Sequence, residues 1–199
     1  MSKSKRRRRA RKVQRVTTVV VLALALIGLI LWAALDLMPW LTLRSYPMTY
    51  EVLIRQKAAQ FDLPPAYVAS VILAESSFDP EAVSSVGARG LMQIMPETGE
   101  WIAGKFGEPF DPDALFDPDV NVRYGCWYLS FLMRRYGNDM RCSSAAYHAG
   151  QGTVDKWLQT PEYSADGATL AVIPYDSTNT YVQRVLKNYE KYAKLYAED

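Results

Sequence analysis

One histidine and two cysteines in 199 residues leave little with which to ligate a transition metal. Cys126 and Cys142 would supply two ligands and His148 one, short of the four that close a structural zinc site. No structural zinc and no cofactor are therefore expected. An oxidising environment would permit the two thiols to pair, but nothing in their spacing shows whether they meet. Alternating valine-rich runs are scarce, which argues against a large sheet and for a mainly α fold. No repeat is visible, which excludes a solenoid. Acidic residues are absent from the first 15 positions, where nine of the 23 Lys and Arg residues gather. The rest of the chain has 14 basic and 21 acidic residues, a formal net charge of −7. The two ends are built for different surroundings.

Residues 16–35 (VTTVVVLALALIGLILWAAL) contain no charge over 20 positions, the length a helix needs to cross ~30 Å of hydrocarbon. A basic cluster immediately before such a run stays on the cytoplasmic side. Its position there also makes it a topology signal and not a nucleic-acid patch. A cleaved signal peptide fits less well, because secretory apolar regions are shorter and Ala33-Ala34-Leu35-Asp36 is a poor cleavage site. The expected organisation is a cytoplasmic tail (1–15), a transmembrane signal-anchor helix (16–35) and a juxtamembrane linker (36–49) carrying Pro39, Trp40, Tyr46 and Pro47. A single extracytoplasmic domain (50–199) follows.

Within that domain the pattern is helical with loop punctuation. Residues 50–61 form one expected helix, ended by Asp62-Leu63-Pro64. Pro64-Pro65 then open the next, in the first turn where proline is tolerated. Its stretch AYVASVILAESS sets Val68, Val71, Ile72 and Glu75 on one apolar stripe. Asp117-Pro118 opens a long helix that Gly137 terminates, a short one covers 143–148 before Gly150, and a last one covers about 178–196. Asp111, Asp113, Asp117 and Asp119 lack the spacing of a calcium loop and read as helix starts. Asp79, before Pro80, reads as a turn cap.

Glu75 is the residue with chemical promise. It stands near the C-terminal end of its helix, where the macrodipole opposes negative charge, and on an apolar stripe that opposes ionisation further. Both effects raise a carboxyl pKa, as a general acid near neutral pH requires. Downstream, Gly87 and Gly90 allow tight backbone turns. Gln93 offers donors and acceptors suited to N-acetyl and hydroxyl groups, while Met92 and Met95 offer adaptable apolar walls.

The stretch from Glu75 to Gly99 carries a longer pattern: Glu75-Ser76, Phe78-Asp79-Pro80, Ala82, Ser84, Gly87-Ala88, Gly90-Leu91-Met92-Gln93-Ile94 and Pro96. It resembles the opening motif of soluble-type lytic transglycosylases, which share a lysozyme-like α-helical fold. Ala145-Ala146-Tyr147-His148-Ala149-Gly150 resembles the family's Ala-Tyr-Asn-Ala-Gly element, with His148 in place of Asn. Ile173-Pro174-Tyr175 and Tyr181-Val182-Gln183-Arg184-Val185 resemble a third element. There Ser177-Thr178-Asn179 stands where members usually carry Glu-Thr-Arg. The resemblance covers roughly residues 50–190.

It implies that Glu75 alone serves as acid and then base on peptidoglycan glycan strands, leaving a 1,6-anhydromuramyl end. It also implies substrate-side roles for Ser84, Met92, Gln93, Met95, Tyr147, His148 and Tyr181, the last holding or polarising Glu75. Goose-type lysozymes share the fold and the acid but release products to water. The departures at His148 and at 177–179 also leave open a non-catalytic wall-binding or scaffold protein. An acidic domain is not drawn to an anionic polymer by long-range charge, so tethering to the membrane would deliver it to the wall. No motif specifies partners in the cell-wall or division machinery.

Overall fold

The computed structural model describes residues 14–15, 17–30, 32 and 44–197. The chain divides into two units, Met1–Pro47 and Met48–Asp199. In the first, the described residues from 14 to 32 are helical. Their large apolar side chains, Val19 to Trp32, stand 50–65% exposed. Among the described residues no helix is long and apolar enough to cross a membrane. Residues 16, 31 and 33–35 of the expected span lie outside the described residues, as do the basic residues 1–13 and linker residues 36–43.

The second unit is helical throughout. Its elements are α1 (Glu51–Gln60), α2 (Pro65–Glu75), α3 (Pro96–Phe106), a 3₁₀ turn (Pro112–Phe116), α4 (Pro118–Arg135), α5 (Met140–Ala149), α6 (Gln151–Leu158) and α7 (Asp176–Leu195). Among the described residues the only β pairing is two isolated antiparallel bridges, Val83 with Arg89 and Arg89 with Ile94.

Pro65 and Pro118 sit at the first helical position, and Pro96 does the same for α3. The aspartates are consumed in starting helices. Asp111 accepts from the Asp113 backbone N–H, Asp117 from those of Asp119 and Val120, and Asp139 from that of Cys142. Each such cap satisfies an otherwise orphaned donor and contributes about 1 kcal/mol.

The centre of the fold is α2. It packs against α7 and α1, while α5 bridges α7 and α4. The expected single stripe understates its burial, because every residue from Tyr67 to Ile72 is buried. Neighbours on all sides, not one face, set the environment of its last residue. Cys126 on α4 and Cys142 on α5 are both buried free thiols.

Candidate active site

Helix α2 ends at Glu75, and the chain turns back at once. Ser77 and Phe78 both adopt left-handed backbone, with φ of 53° and 68°. Such a conformation costs a non-glycine residue about 1–3 kcal/mol and persists only where its surroundings over-determine it. Here the Ser76 hydroxyl donates to the Leu91 carbonyl at 2.7 Å, the Asp79 N–H donates to the Ser76 carbonyl at 3.1 Å, and Phe78 is buried. The turn stops the helix at the carboxylate and ties that end to the segment around Leu91.

Glu75 is half-buried. Burial pushes its carboxyl from 4.5 up to about 7, against the opposing pull of the Tyr181 hydroxyl and the Arg184 guanidinium. Tyr181 Oη is buried and has no partner at full hydrogen-bond geometry. Its own pKa is nevertheless held well above the phenol range, first by burial and then by the Glu75 charge, so hydroxyl and carboxyl face one another. Tyr147 also feels the Glu75 charge, after burial, and donates its hydroxyl to the Met92 carbonyl at 2.8 Å.

The loop after the turn is pinned by Asn121, fully buried on α4. Its amide donates to the carbonyls of Arg89 at 2.9 Å and Leu115 at 2.7 Å, and its oxygen accepts from the Met92 N–H at 2.8 Å. Gly90 leaves room for this amide. At φ +73° a Cβ there would lie 2.2 Å from the Leu115 carbonyl oxygen and 2.3 Å from Asn121 Nδ2. Gly125 on α4 likewise accommodates Met92, whose Sδ would lie 2.2 Å from a Cβ at that position.

A cavity of about 300 Å³ opens beside these groups, walled by Gln93, Met95, Thr98, Tyr128, Tyr147 and His148 among others. A second, of about 310 Å³, shares Thr98 and Tyr128 with it and adds Glu97, Trp101 and Gln151. A larger cavity of about 450 Å³ lies around Leu63, Pro64 and Pro65, at the start of α2. It is roughly 15 Å along the helix from Glu75 at 1.5 Å per residue. The first cavity is the one tied to Glu75, through Tyr147, which lines it and feels the Glu75 charge.

A family model for the transglycosylase SLT domain matches residues 52–169, more than half of the chain. The chain belongs to the SLT-domain transglycosylases. It is 35% identical over 157 residues to the soluble lytic murein transglycosylase of Escherichia coli (strain K12), covering 77% of this chain and 24% of that protein. It is 30% identical to the membrane-bound lytic murein transglycosylase C of Actinobacillus pleuropneumoniae serotype 5b, covering 72% of this chain and 45% of the relative. Among solved structures, the 70 kDa soluble lytic transglycosylase of Escherichia coli superposes with a TM-score of 0.71 at 30% identity, over 79% of this chain and 26% of that one. The chain spans about a quarter of the length of the first curated relatives it matches. The mainly α, lysozyme-like architecture expected from the motifs is what these superpositions show.

His148, which stands where the resembled motif has Asn, reaches the unchanged middle residue of the 177–179 segment. His148 Nδ1 lies 3.1 Å from Thr178 Oγ1, and the imidazole packs on Tyr181 with ring centroids 4.7 Å apart. His148 as a whole is exposed. Burial on the side of Thr178 and Tyr181, then Arg184, hold its pKa below the ordinary 6.5. The ring is neutral at pH 7, and with Nδ1 engaged only Nε2 remains for a ligand.

The expected site residues separate into two groups. Gln93, Met95, Tyr147 and His148 line the first cavity, and Tyr181 faces Glu75 from α7. Met92 does not reach the groove: it is fully buried against Gly125, and its backbone, not its thioether, holds Tyr147 in place. Ser84 lines none of these three cavities. Its hydroxyl accepts from the Ala88 N–H at 3.0 Å and closes a turn. Gln93 has a divided role, because its amide nitrogen donates to the Ala82 and Gly90 carbonyls, both at 2.9 Å, leaving its oxygen for the groove. Sequence reasoning missed Asn121, Thr178, Arg184, Tyr128 and Trp101. For Asn121 the signal was a polar residue in the first turn of an apolar helix, in register with buried Val122 and Gly125.

Proposed function

We propose that this protein is a peptidoglycan lytic transglycosylase, with Glu75 as its single general acid and base. The observation that carries the reading is a half-buried carboxyl that burial raises to about 7 and whose charge acts on Tyr147, a wall residue of a cavity that has no carboxylate of its own. Asp79, the nearest acid in sequence, accepts from the Glu81 N–H at 2.9 Å and serves its own turn. A hydrolytic glycosidase usually works with a carboxylate pair; one carboxyl suffices if the substrate supplies its own nucleophile.

In this mechanism protonated Glu75 gives its proton to the oxygen joining N-acetylmuramic acid to N-acetylglucosamine. The bond from that oxygen to muramyl C1 breaks, with the substrate's N-acetyl group supporting the positive centre. The Glu75 carboxylate then removes the proton of the muramyl C6 hydroxyl as that oxygen bonds to C1. The proton returns to Glu75, no water is consumed, and the product is a 1,6-anhydromuramyl end. A pKa near the working pH suits both halves of the cycle. The Tyr181 hydroxyl, which lowers the Glu75 pKa, favours the carboxylate form. His148 Nε2 and the Gln93 amide oxygen are the polar groups offered to the sugar.

The basic cluster and the uncharged run 16–35 support a single membrane pass, cytoplasmic at the N-terminus, that confines the catalytic domain beside the wall. Its relative membrane-bound lytic murein transglycosylase C is, by its name, held at a membrane. Protease treatment of intact spheroplasts should remove residues 50–199 and spare the N-terminal segment. The decisive experiment for the chemistry is mass spectrometry of muropeptides released from sacculi by the wild-type protein and by Glu75→Gln. Anhydro ends, lighter by one water, are expected from the wild type alone. Hydrated reducing ends, or release by the variant, would overturn the proposal.

A further inference from the structure

Helix α7 carries a charge pattern that the mechanism does not use. Arg184, Lys187, Lys191 and Lys194 are all exposed. Spaced three, four and three residues apart, they fall within about 80° of the helix circumference and run about 15 Å along its axis. Elsewhere in the domain Arg55, Lys57, Arg89, Arg123 and Arg135 each pair with a carboxylate. Among the described residues the four cations of α7 form no salt bridge. Like charges three and four residues apart destabilise a helix. The macrodipole offsets this in the last turn, where Lys194 lies, whereas Lys187 and Arg184 stand two and three turns further in. The stripe is thus a cost to the isolated domain, and one that an anionic surface would remove.

Two observations indicate which surface. Tyr196 and Ala197, just beyond α7, line the same cavity as Met48, the first residue of the domain. The outer end of the stripe therefore stands beside the point where the chain runs on to the proposed membrane segment. Next to Lys194, Leu195 is 36% exposed. Cations flanked by an exposed apolar side chain are the combination that settles at the headgroup boundary of a bilayer. We infer that the stripe from Arg184 to Lys194 is a docking surface for the anionic phospholipid headgroups of the bilayer that holds the N-terminal segment. The inference rests on the proposed membrane pass. Arg184, at the inner end of the stripe, also acts on Glu75, so docking along α7 holds the carboxyl at a set height above the lipid.

The test uses the full-length protein in lipid nanodiscs, with a fluorophore on Gln183→Cys and quencher-bearing headgroups in the lipid. Gln183 is exposed beside the stripe, and the two native thiols are buried and do not compete for the label. Quenching should be strong in discs containing phosphatidylglycerol, weak in phosphatidylcholine alone, and reversed by high salt. Lys187→Gln, Lys191→Gln and Lys194→Gln should each lower the ratio of docked to undocked protein about fivefold. The triple variant should quench no more than the phosphatidylcholine sample, while its cleavage of sacculi in detergent is unchanged. Quenching independent of lipid charge would overturn the docking surface, and that comparison needs no lysine variant to fold. So would a dependence on lipid charge that survives in the triple variant. A fluorescence response to added sacculi in phosphatidylcholine discs, lost in the triple variant, would assign the stripe to the wall polymer instead and overturn the lipid assignment. Failure of the chain to enter the discs at all would overturn the membrane pass itself, a result distinct from insertion without docking.

Discussion

Replacing Glu75 with glutamine should make the protein more stable, and only at neutral to alkaline pH. The folded protein favours the protonated carboxyl, since burial raises its pKa from 4.5 to about 7. Below pH 4.5 the carboxyl is protonated whether the chain is folded or not, and the group costs nothing. As pH rises toward 7 the unfolded chain ionises freely while the folded one cannot, so stability is lost across that window. At about 1.4 kcal/mol for each tenfold preference, the full displacement corresponds to ~3 kcal/mol. Partial exposure reduces this to about 2 kcal/mol. Glutamine is nearly isosteric and carries no charge, so Glu75→Gln should regain that amount at pH 8, or about 4–8 °C in melting temperature for a domain of this size. The assay is thermal denaturation of both proteins at pH 4 and pH 8. Equal melting temperatures at pH 8, or a gain of the same size at pH 4, would show a solvated Glu75 and refute the reasoning. The gain in stability should accompany loss of cleavage, because the same desolvation that strains the fold holds the proton for transfer.

The facing hydroxyl is tested by Tyr181→Phe. Removing a group that lowers the Glu75 pKa should move the alkaline limb of the pH–rate profile upward and reduce turnover about 10–100-fold; an unmoved limb would place the hydroxyl elsewhere in the mechanism. Asn121→Ala strands the Leu115 carbonyl and the Met92 N–H and takes one of two donors from the Arg89 carbonyl, which keeps the Ile94 N–H, at a cost of about 3 kcal/mol by urea denaturation. Gly90→Ala should be at least as damaging, because its Cβ would overlap the Leu115 carbonyl and the Asn121 amide. The thiols should be inert: burial holds Cys126 well above the ordinary thiol range and Cys142 at about 11. Alkylation should therefore require denaturant, and reductant should leave the melting temperature unchanged.

What the sequence made legible was whatever is decided locally. The prolines at 65 and 118 mark helix starts, and α7 at Asp176–Leu195 lies within two residues of the expected 178–196. Helices α3 and α6 escaped notice because Gly99, Gly104 and Gly152 weaken their local signal. The reason for Gly99 is tertiary: a Cβ there would meet the Phe110 ring at 2.7 Å. Direction was equally hidden. Met92 and Gln93 are adjacent, but Gln93 sits at φ 48°, and one side chain enters the core while its neighbour lines the groove. A residue type suited to a wall does not reveal which way it faces. The acidity of Glu75 divides along the same line. The apolar stripe that carries Glu75 could be read directly and pointed to a raised pKa, although the burial that raises it is completed by the helices packed around α2. The opposing groups, Tyr181 and Arg184, come from a helix more than a hundred residues later, and reach the carboxyl only because α7 packs along α2. A pKa balanced between burial and distant polar groups is thus set by the tertiary fold, and so α7 is as much a part of the proposed catalytic acid as the helix that bears it.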